Sequence, residues 1–182
     1  SRATGPQAVV LVPTRELAIQ VAENFALLRK GTKIDCAIVV GGLAERPQLD
    51  SIRRGAQLIV ATPGRLEDFL KRRLIRLGGV TTVVFDEADR MLDMGFLPAI
   101  ERILKEIPEE RQTLCFSATL EASTLPFIRK TLKSPVRVEI GSTAKPAEGV
   151  KLQWFEVASD QNVGLLQNLL DQEGGSFLVF AR

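Results

Sequence analysis

The chain has 182 residues with 24 Lys and Arg against 22 Asp and Glu, a net charge of +2, so no global basic field draws in nucleic acid and any such site must be local. Hydrophobic residues at 45% suffice for a buried core and charged residues at 25% match an ordinary globular protein, while no apolar run approaches the roughly 20 residues of a membrane helix. The sequence holds no histidine, which excludes Ser-His and Cys-His catalysis and histidine metal sites within it.

Length sets the expectation of one domain, or one domain and a piece of another. The chain begins with Ser1 rather than Met, carries no secretory signal, and runs from 1–7 almost directly into a strand-like segment, as a fragment of a longer protein would. That first apolar run, 8–12, leads into Pro13-Thr14-Arg15-Glu16-Leu17-Ala18. Thr14 is a good N-cap, so this reads as a strand-to-helix turn with outward backbone N–H groups. Such a terminus binds phosphate, and Arg15 adds a charge beside it. Leu17, Val21, Phe25 and Leu28 predict the apolar stripe of the helix that follows.

The second run, 36–40, ends in Gly41-Gly42, and the third, 57–61, in Thr62-Pro63-Gly64-Arg65. The latter repeats the device, with Thr62 as N-cap, Pro63 at the first helical position, Gly64 allowing close backbone approach, then Arg65. Either turn alone is also what ordinary helix capping looks like. Lys71, Arg72, Arg73 and Arg76 form the densest basic cluster; a solvated helix end accounts for it, with an auxiliary nucleic-acid patch as the other reading.

The fourth run, 81–85, delivers Asp86-Glu87-Ala88-Asp89. Two acids side by side at a strand end suit a magnesium–water shell, the first fixing the metal through water and the second orienting and deprotonating an attacking water. The plainer reading is a pair of solvated acids before a helix that Asp89 caps. Ile100, Ile103, Leu104 and Ile107 make the next helical stripe. The fifth run, 113–116, ends in Ser117-Ala118-Thr119, hydroxyls that can bond Asp86 or Asp89 or simply cap a helix. A sixth run spans 136–140. No Gly-x-x-x-x-Gly-Lys-Ser/Thr occurs in the chain, so the metal half of a nucleotide site is present without its phosphate loop. Cys36 and Cys115 sit inside apolar runs and read as buried reduced thiols, in keeping with the cytoplasm.

Strands alternating with helices predict an α/β doubly wound parallel sheet, buried on both faces, with ligands at the carboxyl ends of its strands. After Ile140 the composition turns small, polar and proline-broken, as a linker over 141–151 would be. A strand at 152–157 with Trp154 as core packing, a helix with Val163, Leu166, Leu169 and Leu170 on one face, and a strand at 177–181 follow. One β-α-β unit is too small to bury its own faces, so it predicts the beginning of a second domain.

In order and spacing, Pro13 to Ala18, Gly41-Gly42, Thr62 to Arg65, Asp86 to Asp89 and Ser117 to Thr119 resemble the motif series of the DEAD-box ATP-dependent RNA helicases. The likeness continues through Arg90-Met91-Leu92-Asp93-Met94-Gly95-Phe96 and to Phe177-Leu178-Val179-Phe180-Ala181-Arg182, which is similar to the first motif of that family's second RecA-like domain. It implies an incomplete first RecA-like domain (helicase ATP-binding) over 1–140, a linker over 141–151, and the beginning of the helicase C-terminal domain over 152–182.

By the same resemblance Asp86 would coordinate Mg²⁺ through water and Glu87 would be the general base for ATP hydrolysis. Ser117 and Thr119, with Asp89, would couple hydrolysis to strand separation. Thr14, Arg15, Gly42, Thr62, Gly64 and Arg65 would grip the RNA sugar-phosphate backbone without reading bases. The family's adenine-reading glutamine motif and phosphate loop precede Ser1, and its arginine finger follows Arg182. The expectation is therefore weak or no ATP binding and negligible hydrolysis by this chain alone. The alternative class is a non-catalytic nucleic-acid-binding or self-assembling module; a DNA helicase fits the motif wording less well. Loss of the phosphate-loop strand would leave an open sheet edge, which predicts a homodimer or strand-swapped assembly.

Overall fold

A computed structural model describes residues 5–119, 124–140, 153–158, 160–172 and 174–180. The expected linker at 141–151 lies outside them. Five of the apolar runs become strands: β1 (Ala8–Leu11), β2 (Cys36–Val39), β3 (Leu58–Ala61), β4 (Thr82–Phe85) and β5 (Gln112–Cys115). All pair in parallel, in the order β2-β3-β1-β4-β5. Helices α1 (Arg15–Leu28), α2 (Glu45–Arg53), α3 (Pro63–Lys71), α4 (Ala88–Asp93), α5 (Leu97–Lys105) and α6 (Thr124–Thr131) connect or follow them. The expected doubly wound α/β sheet is thus the fold of this part of the chain.

Alternation along the strands divides the core. Val9, Leu11, Val39, Ile59, Ala61, Val83 and Phe85 pack on one face with Leu66 and Phe69 of α3, Met91 of α4, Ile100 and Ile103 of α5, and Phe127 of α6. On the other face Val12, Val40 and Val60 pack with Ala18 of α1, joined by Leu17 and Val21. Leu28, expected to continue that stripe, is 83% exposed. The reason is length: a strand of four residues spans about 13 Å whereas the helix, at 14 residues, runs to about 21 Å, so its last turn overhangs the sheet. Glu67, buried on α3, bonds Arg102 of α5 and takes Lys71 at 2.5 Å. Arg102 above all holds its carboxyl below the usual range, and the contact anchors the helix whose first turn carries Arg65.

The run at 136–140 forms no strand, against expectation. Val136, Val138 and Ile140 are 81–94% exposed, and β5 ends the sheet with its outer side unpaired by any described strand. Apolar alternation disposes a segment to extend, but a strand exists only where ladder bonds reach a neighbour.

The chain divides into two compact units, 1–143 and 144–182. In the second, α7 (Asn162–Gln172) is the one regular element among the described residues, and none of its residues is buried. The expected strands at 152–157 and 177–181 do not form in their described parts, and Trp154 is exposed rather than core. Two strand candidates and one helix supply too few faces to cover each other.

Candidate functional site

The strand register brings the candidate turns to one level. Leu11 pairs with Ala61 and Phe85, Val39 with Ala61, and Phe85 with Cys115, so the last residues of all five strands form a single row. Neighbouring strands lie about 4.8 Å apart, which makes the row about 19 Å long. Along it come Gly42 after β2, Thr62 with Gly64 and Arg65 after β3, Thr14 and Arg15 after β1, Asp86 and Glu87 after β4, then Ser117 and Thr119 after β5.

Thr14 caps α1 as expected, its Oγ1 accepting from the Leu17 N–H at 3.2 Å. Thr62 occupies the N-cap of α3 but makes no side-chain capping bond. Pro63 opens this helix with a fixed φ and brings no N–H of its own to be satisfied at the first position. Arg65 lies over the Phe69 ring, 5.4 Å from its centroid, with Nη1 3.8 Å from Glu45 Oε2. At Gly64 an added Cβ would meet no atom within 4 Å, so no packing inside the protein requires glycine there. Gly42 has φ +76°, and a Cβ on it would stand 3.1 Å from Arg15 Nη1. Gly42 and Arg15 therefore meet, although the ends of β2 and β1 flank β3. Arg15 also pairs with Glu16 at 3.1 Å.

The acids divide into two roles. Asp86 Oδ1 accepts from the Glu87 N–H at 3.1 Å. Glu87 has φ 50° and ψ 53°, a left-handed conformation that costs a non-glycine residue about 1–3 kcal/mol and clusters at functional sites. Its Oε2 accepts from Arg90 Nη1 at 3.0 Å. Glu87, not Asp89, is the N-cap of α4. Asp89 instead takes the Thr119 N–H at 2.9 Å and the Thr119 hydroxyl at 2.8 Å, with the Arg90 N–H on its other oxygen. Burial opposes ionisation of Asp89, yet these bonds outweigh it and hold the carboxyl below its ordinary range. Ser117 Oγ donates to the Thr119 carbonyl at 2.6 Å. The hydroxyl turn thus bonds Asp89 and leaves Asp86 free of it.

No group of three or more His, Cys, Asp or Glu able to hold a metal occurs among the described residues. Asp86, a single strand-end carboxylate with one oxygen engaged, would suit a hydrated Mg²⁺, which keeps several waters, rather than a protein cage. Two members of the basic cluster are engaged within the protein: Lys71 bonds Glu67, and Arg72 bonds Asp68 at 3.0 Å and Glu45 twice at 2.7 Å. Cys36 and Cys115 are free and half-buried, and burial pushes both thiols up to about 11, so neither is a ready nucleophile. No role was legible in the sequence for Glu45, whose partners lie at α3, or for Gln48, whose partners lie in the turn before its own helix. A polar residue inside the short helix after Gly41-Gly42 was the only local signal for the second.

A family model described as DEAD/DEAH box helicase matches residues 1–126. The chain is 42% identical over 178 residues to DEAD-box ATP-dependent RNA helicase 14 of Arabidopsis thaliana, covering 96% of this chain and 29% of that protein. To ATP-dependent RNA helicase DeaD of Buchnera aphidicola it is 38% identical over 178 residues, covering 97% and 30%. Among solved structures, a DEAD box protein from the hyperthermophile Methanococcus jannaschii matches with a TM-score of 0.72 and 33% identity, over 92% of this chain and 45% of that one. The chain spans less than half the length of each of these relatives.

Proposed function

The chain belongs to the DEAD/DEAH box helicase family, and on that premise we propose that it carries the RNA-backbone grip and the Mg²⁺-binding half of an ATP-dependent RNA helicase. The observation that carries this reading is the division of the strand-end row. Backbone and arginine turns cap β2, β3 and β1, whereas acids and hydroxyls cap β4 and β5. Thr14, Arg15, Gly42, Thr62, Gly64 and Arg65 then hold sugar-phosphate on one half. On the other half Asp86 would hold hydrated Mg²⁺ and Glu87, in its left-handed conformation next to it, would take a proton from water once released from Arg90. Asp89, Thr119 and Ser117 link the two strand ends as a coupling element. When bound, ATP with Mg²⁺ supplies the phosphoryl chemistry that drives strand separation in the full-length protein. The domain reading follows, with 1–140 in the ATP-binding domain, 141–151 as linker and 152–182 opening the C-terminal domain. Free thiols support a cytoplasmic location, and no helix among the described residues is long and apolar enough to cross a membrane.

This polypeptide has no lysine loop for the nucleotide phosphates. The expected result is binding of unrelated single-stranded RNAs alike, without RNA-stimulated ATP turnover above a Glu87→Gln control. Absence of RNA binding contradicts the grip, and turnover clearly above the control contradicts the assignment of a half-site.

A second reading, a non-catalytic self-assembling module, is favoured by the outer edge of β5, which no described strand pairs, together with the exposed apolar side chains at 136–140. Such an edge pairs readily with another chain, giving a homodimer or strand-swapped assembly. Light scattering at micromolar concentration is expected to return twice the 20.0 kDa chain mass; a monomeric mass counts against this reading.

A further inference from the structure

Gln48 on α2 is a buried polar side chain, 7% exposed, and both ends of its carboxamide are used. Oε1 accepts from the Val40 N–H at 3.0 Å. Nε2 donates to the Val40 carbonyl at 3.1 Å, the Leu43 carbonyl at 3.3 Å and the Ala44 carbonyl at 3.2 Å. Val40 is the residue just beyond β2, where the ladder ends. The carboxamide presents it with one acceptor and one donor, as a neighbouring strand would, and reaches the exit of the turn with the same nitrogen. Gly41 and Gly42 lie between these two anchor points, exposed and with no side chains of their own to restrain them.

Glycine loses more conformational freedom on ordering than any other residue. An untethered Gly-Gly turn would sample many backbone states, and the affinity for a ligand needing one of them is scaled down to the fraction of time that state is populated. Here Gly42 is held at φ +76°, close against the Arg15 guanidinium.

We propose that Gln48 is a positioning residue of the nucleic-acid grip, one that never touches RNA and fixes the Gly41-Gly42 turn so that the Gly42 backbone and Arg15 present one continuous surface to the sugar-phosphate chain. The inference rests on the function proposed above, and its test separates the two. Gln48→Met keeps the length of the side chain and removes every polar atom. Gln48→Glu keeps the shape of the side chain and replaces the donors with a carboxylate oxygen that the three carbonyls repel.

In the full chain, amide exchange at Val40 and Gly41 is expected to quicken in Gln48→Met while the strand amides of β1 and β4 hold their rates. Gln48→Glu, which sets a carboxylate against those three carbonyls, is expected to quicken that exchange as well. Affinity for a mixed-sequence single-stranded RNA is expected to fall about fivefold to tenfold in Gln48→Met, the scale of one neutral hydrogen bond. Gly42→Ala added to Gln48→Met is expected to do little more, because both disturb one turn, whereas Arg65→Ala added to it costs the same factor as in the wild-type background. Full additivity with Gly42→Ala, or unchanged exchange at Val40, overturns the role of Gln48. Failure of the wild-type chain to bind RNA overturns the functional reading instead, and the exchange measurement still decides whether Gln48 holds the turn. Should Gln48→Met fail to fold by circular dichroism, Gln48→Glu carries the same RNA comparison through its lost donors.

Discussion

Phe85→Ala is expected to lower the free energy of unfolding of the 1–143 unit by about 3–5 kcal/mol, a large share of the 5–15 kcal/mol typical of a domain. Phe85 is fully buried at the end of β4, and its ring meets Phe127 of α6 edge to face, with centroids 5.1 Å apart at 87°. Such a pair contributes about 0.5–1.5 kcal/mol beyond its area. Met91, Ile100 and Ile103 surround the same cluster, so truncation leaves a cavity that a close-packed interior closes only in part. The position matters to the site as well. The Phe85 carbonyl accepts from the Phe116 N–H at 2.8 Å, and the next residue, Asp86, donates its N–H to the Leu11 carbonyl at 3.0 Å. These bonds tie the acid turn to the turns on either side of it. Chemical denaturation followed by circular dichroism measures the effect, with Phe85→Leu expected to lose markedly less. A loss below about 1 kcal/mol for Phe85→Ala would mean that the ring is not the packing centre described here.

The parts of this fold that could be read from sequence are those fixed by local chemistry. Runs such as 81–85 are nearly continuous in apolar character, as a covered parallel strand is, and β1 to β4 are of this kind, whereas β5 carries Gln112 and Thr113 and buries none of its residues fully. Thr14 announced its own cap because the capping bond spans three residues. What could not be read depends on neighbours. Residues 136–140 alternate apolar and charged side chains, a pattern that also disposes a segment to extend, but no described strand lies beside them. Trp154 and the apolar face of α7 are uncovered for the same reason. Leu28 has helical periodicity but lies past the end of the sheet. The order of the turns was hidden as well, because the chain visits β1 first and then places it between β3 and β4. Glu87 sits in a left-handed conformation that no glycine marks. Glu45 binds an arginine on another helix, and no local pattern encodes that.

Arg15→Ala and Arg65→Ala are each expected to weaken RNA binding by about tenfold to a hundredfold, the worth of a charge-assisted hydrogen bond, and to do so for every RNA sequence alike. Each should also flatten the dependence of log affinity on log salt by about 0.7, the slope contributed by one phosphate contact on a single strand. The two arginines reach phosphate from different starting points. Arg15 is half-exposed and paired with the more exposed Glu16. A surface pair of this kind is worth about 0–1 kcal/mol, so exchanging carboxylate for phosphate costs little. Arg65 is more enclosed, its guanidinium carbon over the Phe69 ring, with Glu45 committed mainly to Arg72. A lysine cannot reproduce a stacked, forked guanidinium. Arg65→Lys is therefore expected to recover little of the loss, whereas Arg15→Lys recovers more of it. Lys130→Ala, on α6 and bonded to Glu101, is the control expected to leave the slope unchanged. Sequence-selective loss in either arginine variant would mean base readout, and a salt slope unchanged in both would mean that neither side chain meets a phosphate.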